Sequence, residues 1–271
     1  MRKLIMALAI AATIVACQTE QKTNGSVDST ISTDQPIDDS LTYRYDSIKV
    51  YSKNPVSKDA RVTDTAKAVI SYPVFSDTIV NNFLKKKITG MTDGEKSYST
   101  YESYGKGFIN GFDDFQKDNK DRIQTWFLSI GTKVIRQQPS YLSFYTTYIN
   151  FAGGAHPNSS FTYQNYNPET HQEITLDELL LPGSRPKLNE IAEKVFRANE
   201  KLSPAQSLKG LYFFENDVFK LNDNFTVTEE GLLFLYNPYE IKAYAFGVTK
   251  LLIPFKQLQG IAKPNSLLSV K

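Results

Sequence analysis

Residues 122–151 read RIQTWFLSIGTKVIRQQPSYLSFYTTYINF, and this stretch decides the fold class. Aromatic and β-branched residues fill two runs, 122–136 and 140–151, and Gln138-Pro139 lies between them. Such runs with turn residues between them predict two strands. A connection this short joins antiparallel strands, because parallel strands need a crossover of a dozen or more residues. The stretch therefore predicts the antiparallel core of a sheet.

Upstream of this pair the pattern predicts one strand and one helix. Residues 60–72 are predicted to form a strand that ends at Pro73, and Ser76 is predicted to cap a helix that Gly90 ends. The inward face of this helix is predicted to carry Ile79, Val80, Phe83, Leu84 and Ile88. Residues 98–119 are ambiguous, because aromatic residues recur at helical spacing among several glycines. A helix face packed on the sheet is favoured there over an aromatic platform for a ligand.

Downstream, strands and helices continue without regular βαβ alternation. Residues 159–166 predict a third strand, Thr175 and Glu178 predict a capping box, and Ser184 starts a longer helix. Residues 225–236 predict a hairpin, and residues 248–253 predict the last strand. The sequence thus predicts an α+β fold, an antiparallel sheet packed with helices, in two intertwined or adjacent subdomains.

The N-terminus has the features of a lipoprotein leader. Arg2 and Lys3 precede the apolar residues 4–15, a stretch shorter than the roughly 20 residues of a membrane-spanning helix. Ile14-Val15-Ala16-Cys17 is typical of a bacterial lipobox, and Cys17 is the only cysteine of the chain. We expect a signal peptide over residues 1–16 and a lipid on Cys17; the alternative is an ordinary signal peptide with a chance cysteine. Gln18 in place of Asp favours anchoring in the outer membrane of the cell envelope.

Composition indicates how the rest of the chain is divided into a tether, two domains and a tail. Residues 17–41 are polar and acidic, so we expect a flexible tether there. We expect an N-terminal α+β region over residues 42–151, a second α+β domain over 152–262 and a tail over 263–271. The net charge is +2, and Arg2 and Lys3 of the leader account for it, so the mature chain is neutral. Nucleic acid is therefore not an expected partner.

Few residues point to catalysis. The chain has two histidines, His156 and His171, and lacks H-E-x-x-H, G-x-S-x-G and phosphate-loop motifs. We therefore predict no metal, no cofactor and no catalytic residue. A triad using either histidine and a pair of carboxylates both remain open, because such pairs meet only in three dimensions.

The most distinctive local string is Phe151-Ala152-Gly153-Gly154-Ala155-His156-Pro157. Paired glycines allow positive φ or a close approach of the backbone, and proline fixes the exit. One interpretation is a binding loop that presents His156 and free amides. The other is a tight bend in which His156 braces the backbone, and turn chemistry alone favours the bend.

This string also resembles the Gly-Gly-Ala-His signature of the RsiV-type extracytoplasmic domain. Residues 174–180, Asn237-Pro238-Tyr239-Glu240-Ile241 and residues 253–255 are similar to later segments of that family. Residues 70–75 resemble the N-terminal half that accompanies it in the PdaC-type arrangement. The resemblance implies a non-catalytic accessory module, without the deacetylase catalytic domain. Its candidate ligand-binding residues are Gly153, Gly154, His156, Tyr239 and Glu240.

Together these features predict an envelope lipoprotein that is not an enzyme. Its partners would be the membrane, through Cys17, and cell-wall peptidoglycan or a lysozyme-like protein. A hydrolase acting on envelope polysaccharide or peptidoglycan is the alternative, and a structural assembly subunit is a third class.

Overall fold

A computed structural model describes residues 41–56, 64–91, 97–119 and 124–269 of the chain. The expected leader, Cys17 and nearly all of the expected tether lie outside the described residues, as does the end of the tail. Residues Asp38–Lys271 form one compact unit. Within the described ranges, no helix has the length and apolar character needed to cross a bilayer.

Six strands form the larger sheet, and they lie side by side in chain order. They are β1 (Tyr43–Pro55), β2 (Thr65–Phe75), β3 (Phe127–Gln138), β4 (Tyr141–Phe151), β5 (Asn158–Asn167) and β6 (Gln172–Glu173). The predicted α+β class, the β3–β4 pair and the third strand are confirmed. The sheet is not wholly antiparallel, since β2 and β3 run parallel, with Lys67 beside Phe127 and Ser71 beside Gly131. The crossover between them contains two helices, as a parallel connection requires.

The predicted end of β2 and the predicted start of the first helix are both wrong. β2 continues through Pro73, which lies beyond Ser71, the last residue paired with β3, so its missing N–H costs no bond to that strand. Helix α1 (Thr78–Thr89) is capped by Asp77, whose carboxylate accepts a hydrogen bond from the Ile79 amide, and not by Ser76. Ile79 is 48% exposed, so it does not belong to the inward face with Val80.

Helix α2 (Tyr101–Asp118) resolves the ambiguous aromatic stretch. Its aromatic residues pack onto the sheet and around Trp126, so the packed helix face is confirmed. A Cβ at Gly105 would lie 3.0 Å from Val50 and 3.1 Å from Ile48. Glycine thus lets the helix approach β1 closely, which offsets its low helix propensity.

The second half of the unit is built on a three-stranded antiparallel sheet. Its elements are α3 (Leu176–Leu179), α4 (Arg185–Asn199), β7 (Phe225–Val227), β8 (Gly231–Tyr236), β9 (Thr249–Pro254) and α5 (Phe255–Leu258). The capping box at Thr175 and the β7–β8 hairpin are confirmed. Ser184 occupies the N-cap position of α4, although its side chain makes no capping bond.

A buried polar junction joins the two sheets. The Tyr141 hydroxyl donates to Asn165 Oδ1 at 2.7 Å and accepts from the Val227 amide at 2.9 Å. The Ser143 and Thr226 hydroxyls lie 2.7 Å apart. Burial raises the pKa of Tyr141, an effect that the hydrogen bond with Thr226 opposes. Because each buried polar group has a partner, the junction fixes how β4 and β7 meet.

Asn224 and Asn237, here called the asparagine clamp, cover part of the edge of β5 that faces away from β4. Asn237 Oδ1 accepts from the Phe161 amide at 2.6 Å, and Asn224 Oδ1 accepts from the Tyr163 amide at 2.8 Å. Asn224 Nδ2 donates to the Phe161 carbonyl at 2.8 Å. The side chains of Asn224 and Asn237 thus replace a neighbouring strand and bind the second half of the unit to the first.

Candidate functional site

The bend after β4 owes its shape to glycine. Gly153 and Gly154 have φ of 106° and 105°, a region that side chains with a Cβ rarely adopt. A Cβ at Gly154 would meet no neighbouring atom within 4 Å, so the backbone conformation is its only constraint. The bend carries the chain from Phe151 to His156.

The side chain of His156 is held by contacts on both ring nitrogens. Its Nδ1 lies 2.9 Å from the Pro157 carbonyl oxygen, which can only accept, so Nδ1 carries a proton. In the neutral ring Nε2 is then the acceptor, and the Tyr239 hydroxyl donates to it at 3.1 Å. The imidazole also stacks on Tyr244, with ring centroids 4.0 Å apart and planes 16° apart. We call His156, Tyr239 and Tyr244 the His156 cluster.

Tyr239 is presented by a tight corner after β8. Its φ is 67°, which is unusual for a residue with a side chain. Glu240 braces the corner, because its Oε2 accepts from the Asn237 amide at 2.7 Å and its Oε1 accepts from Asn222 Nδ2 at 2.7 Å. Burial, followed by the charge of Glu240, raises the pKa of Tyr236. Glu240 therefore supports the corner, and its carboxylate does not bind His156.

The segment after the corner is anchored by an ion pair to the C-terminal end of α4. Lys242 Nζ lies 2.6 Å from Glu200 Oε1, and the Tyr212 hydroxyl donates to Glu200 Oε2 at 2.8 Å. Lys242 and Glu200 are both largely shielded from solvent, which limits screening of the pair. Burial, then the hydrogen bond to Glu200, raises the pKa of Tyr212. These contacts fix the segment that leads to Tyr244.

Two family models match separate parts of this chain, and neither match covers half of it. Residues 60–159 match the family described as Deacetylase PdaC. Residues 177–256 match DUF3298, described as a protein of unknown function and known as the RsiV-like domain family. The chain is therefore similar to the PdaC family over one stretch and to the DUF3298 family over another; these stretches are called the PdaC region and the DUF3298 domain. The resemblance inferred from the sequence is confirmed.

Two solved structures of DUF3298 family proteins share the fold. One is from Bacteroides fragilis, with a TM-score of 0.68 and 19% identity over 85% of this chain and 98% of that chain. The other is from Pseudomonas aeruginosa PAO1, with a TM-score of 0.68 and 19% identity over 88% of this chain and 99% of that chain. An esterase of Mycobacterium tuberculosis is 27% identical over 117 residues. That match spans 41% of this chain and 47% of the esterase, so it covers under half of either protein.

The His156 cluster draws its residues from both matched stretches. His156 lies in the PdaC region, and Tyr239 and Tyr244 lie in the DUF3298 domain. Of the predicted site residues, the structure brings His156 and Tyr239 into contact, while Gly153 and Gly154 shape the bend and Glu240 braces the corner. His171 has other neighbours, with its Nδ1 3.3 Å from the Tyr166 hydroxyl.

Tyr244 and the exposed Phe246 nearby were not predicted from the sequence. Both lie in a short 3-10 turn, Tyr244–Phe246, between the corner and β9. Phe246 is 72% exposed and Tyr239 is 56% exposed. The sequence offered one signal for them, since two aromatic residues outside any strand or helix pattern stand just before Gly247. The resulting surface can stack against a ligand ring and offer it a hydroxyl group.

No carboxylate of the described residues hydrogen-bonds to His156, and no group of described side chains has the composition of a metal site. The imidazole therefore lacks, in this part of the chain, the orienting acid of a Ser-His-Asp triad.

Proposed function

We propose that the chain is an envelope lipoprotein whose PdaC region and DUF3298 domain together form a non-catalytic binding module for cell-wall glycan. The ligand would contact the His156 cluster. A lysozyme-like protein is the other ligand class that the sequence suggests, and the experiment below separates the two.

The observation that carries this proposal is the half-buried stack of His156 on Tyr244, with the exposed Tyr239 at its edge. The C–H face of a sugar ring is apolar and packs on aromatic rings, while its hydroxyls need hydrogen-bond partners. Tyr239 combines a half-exposed ring with a hydroxyl, so it supplies both kinds of contact. The surrounding corner is braced by Glu240, so little ordering is needed when a ligand binds.

The state of His156 favours binding over proton transfer. Its Nδ1 proton is bound by the Pro157 carbonyl, and its Nε2 is occupied by Tyr239. Among the described residues, no carboxylate contacts Nδ1 to stabilise a protonated ring, as the acid of a catalytic triad does. The ring is therefore used to hold the bend and to stack.

The anchor belongs to the same proposal. A lipid on Cys17 would attach the module to the bilayer, and the polar residues 18–41 would let it reach the cell wall. An outer-membrane location follows from Gln18 and is part of the proposal.

The test is co-sedimentation of the full chain, in mild detergent, with purified peptidoglycan, and capture on immobilised lysozyme. We expect binding to peptidoglycan that weakens by about tenfold or more in His156→Ala and Tyr244→Ala. His171→Ala is the matched control and should bind as the unmodified chain does. Unchanged binding in both cluster variants refutes the site, and binding to lysozyme alone refutes the glycan ligand.

A hydrolase is the second candidate, favoured by the similarity to an esterase and by the Tyr239–His156 contact. A hydroxyl that donates to a histidine is the arrangement by which enzymes activate a nucleophile. Hydrolysis of a nitrophenyl ester by the full chain, lost in His156→Ala and kept in His171→Ala, would favour this candidate over the binding module. Equal background rates in all three proteins would reject it.

A further inference from the structure

The six-stranded sheet has one face that helices do not cover. Successive strand residues point to opposite faces, and Ala68, Ile70, Leu128 and Ile130 pack toward the helices in one core cluster. The residues between them point the other way. At one end of that side Tyr141 and Ser143 contact Thr226 of β7, and we call the remainder the open face.

One row of the open face crosses four strands in register. Tyr51 of β1 pairs with Lys67 of β2, Lys67 with Phe127 of β3, and Phe127 with Phe151 of β4. The rings of Phe127 and Phe151 stack with centroids 6.1 Å apart and planes 28° apart. Tyr51 is 54% exposed, so the row is open to solvent at the β1 end.

A second basic and aromatic row lies farther along the strands. Lys133 pairs with Tyr145, and Tyr145 pairs with Tyr163. Tyr145 also stacks on Phe161, with planes 10° apart. Burial raises the pKa of Tyr145 and of Tyr163, so both hydroxyls stay protonated at neutral pH and can donate hydrogen bonds.

The charge on the open face has one sign. Lys49, Lys67 and Lys133 are exposed there, and no ion pair involves them in the described part of the chain. No acidic residue occupies the alternate strand positions of this face at residues 45–51, 67–71, 127–133, 145–151 and 159–163. Elsewhere some surface lysines are paired with acids, as Lys87 is with Glu173, and others, such as Lys250, have no ion pair among the described residues. Three lysines without an ion pair among the described residues create a local positive potential.

We propose that the open face binds a linear glycan that carries carboxylates. The lysines would attract the carboxylates, and the rings of Phe127, Phe151 and Tyr145 would pack on the apolar faces of the sugars. Four strands span about 14 Å across the row, which suits a polymer segment better than a single small anion. The inference rests on the proposed function for the class of ligand, but it uses residues outside the His156 cluster.

Single-stranded nucleic acid is the other polymer that combines stacking with negative charge. The chain without its leader is neutral, whereas proteins dominated by phosphate contacts have a clear basic excess. The glycan is therefore favoured, and nucleic acid is an outcome of the test.

The test measures binding of the full chain to hyaluronate oligosaccharides, which alternate a carboxylated and a neutral sugar, and to the neutral oligomer of N-acetylglucosamine. We expect the acidic oligomer to bind more tightly and its binding to weaken as salt rises. The pair Lys67→Gln and Lys133→Gln should weaken it by about tenfold or more, whereas the control pair Lys194→Gln and Lys250→Gln should not. Thermal melting of both double variants checks that they fold.

Three results overturn the proposal. They are equal binding of the neutral oligomer, an equal loss in the control pair, and tighter binding of a thymidine oligonucleotide than of hyaluronate. His156→Ala separates this inference from the proposed function. It should lower peptidoglycan binding and leave hyaluronate binding unchanged, so either site can fail without the other.

Discussion

Removing the side chain of Asn224 should destabilise the whole unit, because one asparagine serves three backbone groups of two different strands. Its Oδ1 accepts from the Tyr163 amide, and its Nδ2 donates to the carbonyls of Phe161, at 2.8 Å, and Leu235, at 3.0 Å. Each lost hydrogen bond costs about 0.5–1.5 kcal/mol, so Asn224→Ala should lower the free energy of unfolding by roughly 2–4 kcal/mol. In a unit of this size that corresponds to a fall in Tm of about 5–15 °C.

Differential scanning calorimetry of the full chain measures this effect. Asn224→Asp keeps the acceptor and loses both donors, so its Tm should lie between those of Asn224→Ala and the unmodified protein. Asn82→Ala is the matched control, since the exposed Asn82 bonds only to Lys85 Nζ in the described part of the chain. If Asn224→Ala melts within 1 °C of the control, the clamp contributes no stability and our account of how the two sheets are joined is refuted.

Four further predictions concern the anchor, the tether, the bend and the buried tyrosine. Cys17→Ala should release the protein from membranes after a salt wash, since the polar tether gives no anchoring, and fractionation checks this. Deletion of residues 18–40 should leave Tm nearly unchanged, and a loss above about 2 kcal/mol would show that the segment docks on the fold. Gly154→Val should cost roughly 1–3 kcal/mol in chemical unfolding, because the position has φ of 105°, and a smaller effect than Gly154→Ala would contradict this. Burial raises the pKa of Tyr141 above its usual 10.0, so the folded state holds this proton more tightly and stability should fall as pH rises above about 10, with Tyr141→Phe less sensitive in alkaline melts.

Local patterns were enough for much of the fold. The strands around Gln138-Pro139 and the capping box at Thr175 depend on neighbours in sequence, and the structure has both. The choice between Ser76 and Asp77 was missed because both residue types cap helices well, and only the chain path decides which one has its oxygen over the Ile79 amide. The parallel pairing of β2 with β3 was not predicted, because it depends on which strand lies next to β3 after the long crossover through α1 and α2.

Some residues of the candidate site could likewise be predicted from the sequence, and others could not. Gly153 and Gly154 signal an unusual backbone from their residue type alone, and the structure gives both positive φ. Tyr244 has only the weaker signal of an aromatic residue outside any strand or helix pattern, and its partner His156 lies in a distant segment of the chain. Contacts between distant segments depend on packing, which periodicity does not encode. The partnership of His156 with Tyr239 could be suggested by resemblance, but the stacking on Tyr244 could not.

The parallel pair at the centre of the larger sheet also sets an order of folding events. β3, β4 and β5 are joined by short turns, and β1 and β2 pair with each other locally, whereas β2 meets β3 only after residues 76–126 have been made. Closing that long loop costs entropy before any contact repays it, so we expect the β2–β3 contact to form late. During synthesis the β1–β2 hairpin appears first and is too small to be stable alone. The edge of β2 that pairs with β3 therefore stays unpaired until the crossover and β3 have been made, and an unpaired strand edge can pair with another chain in that interval.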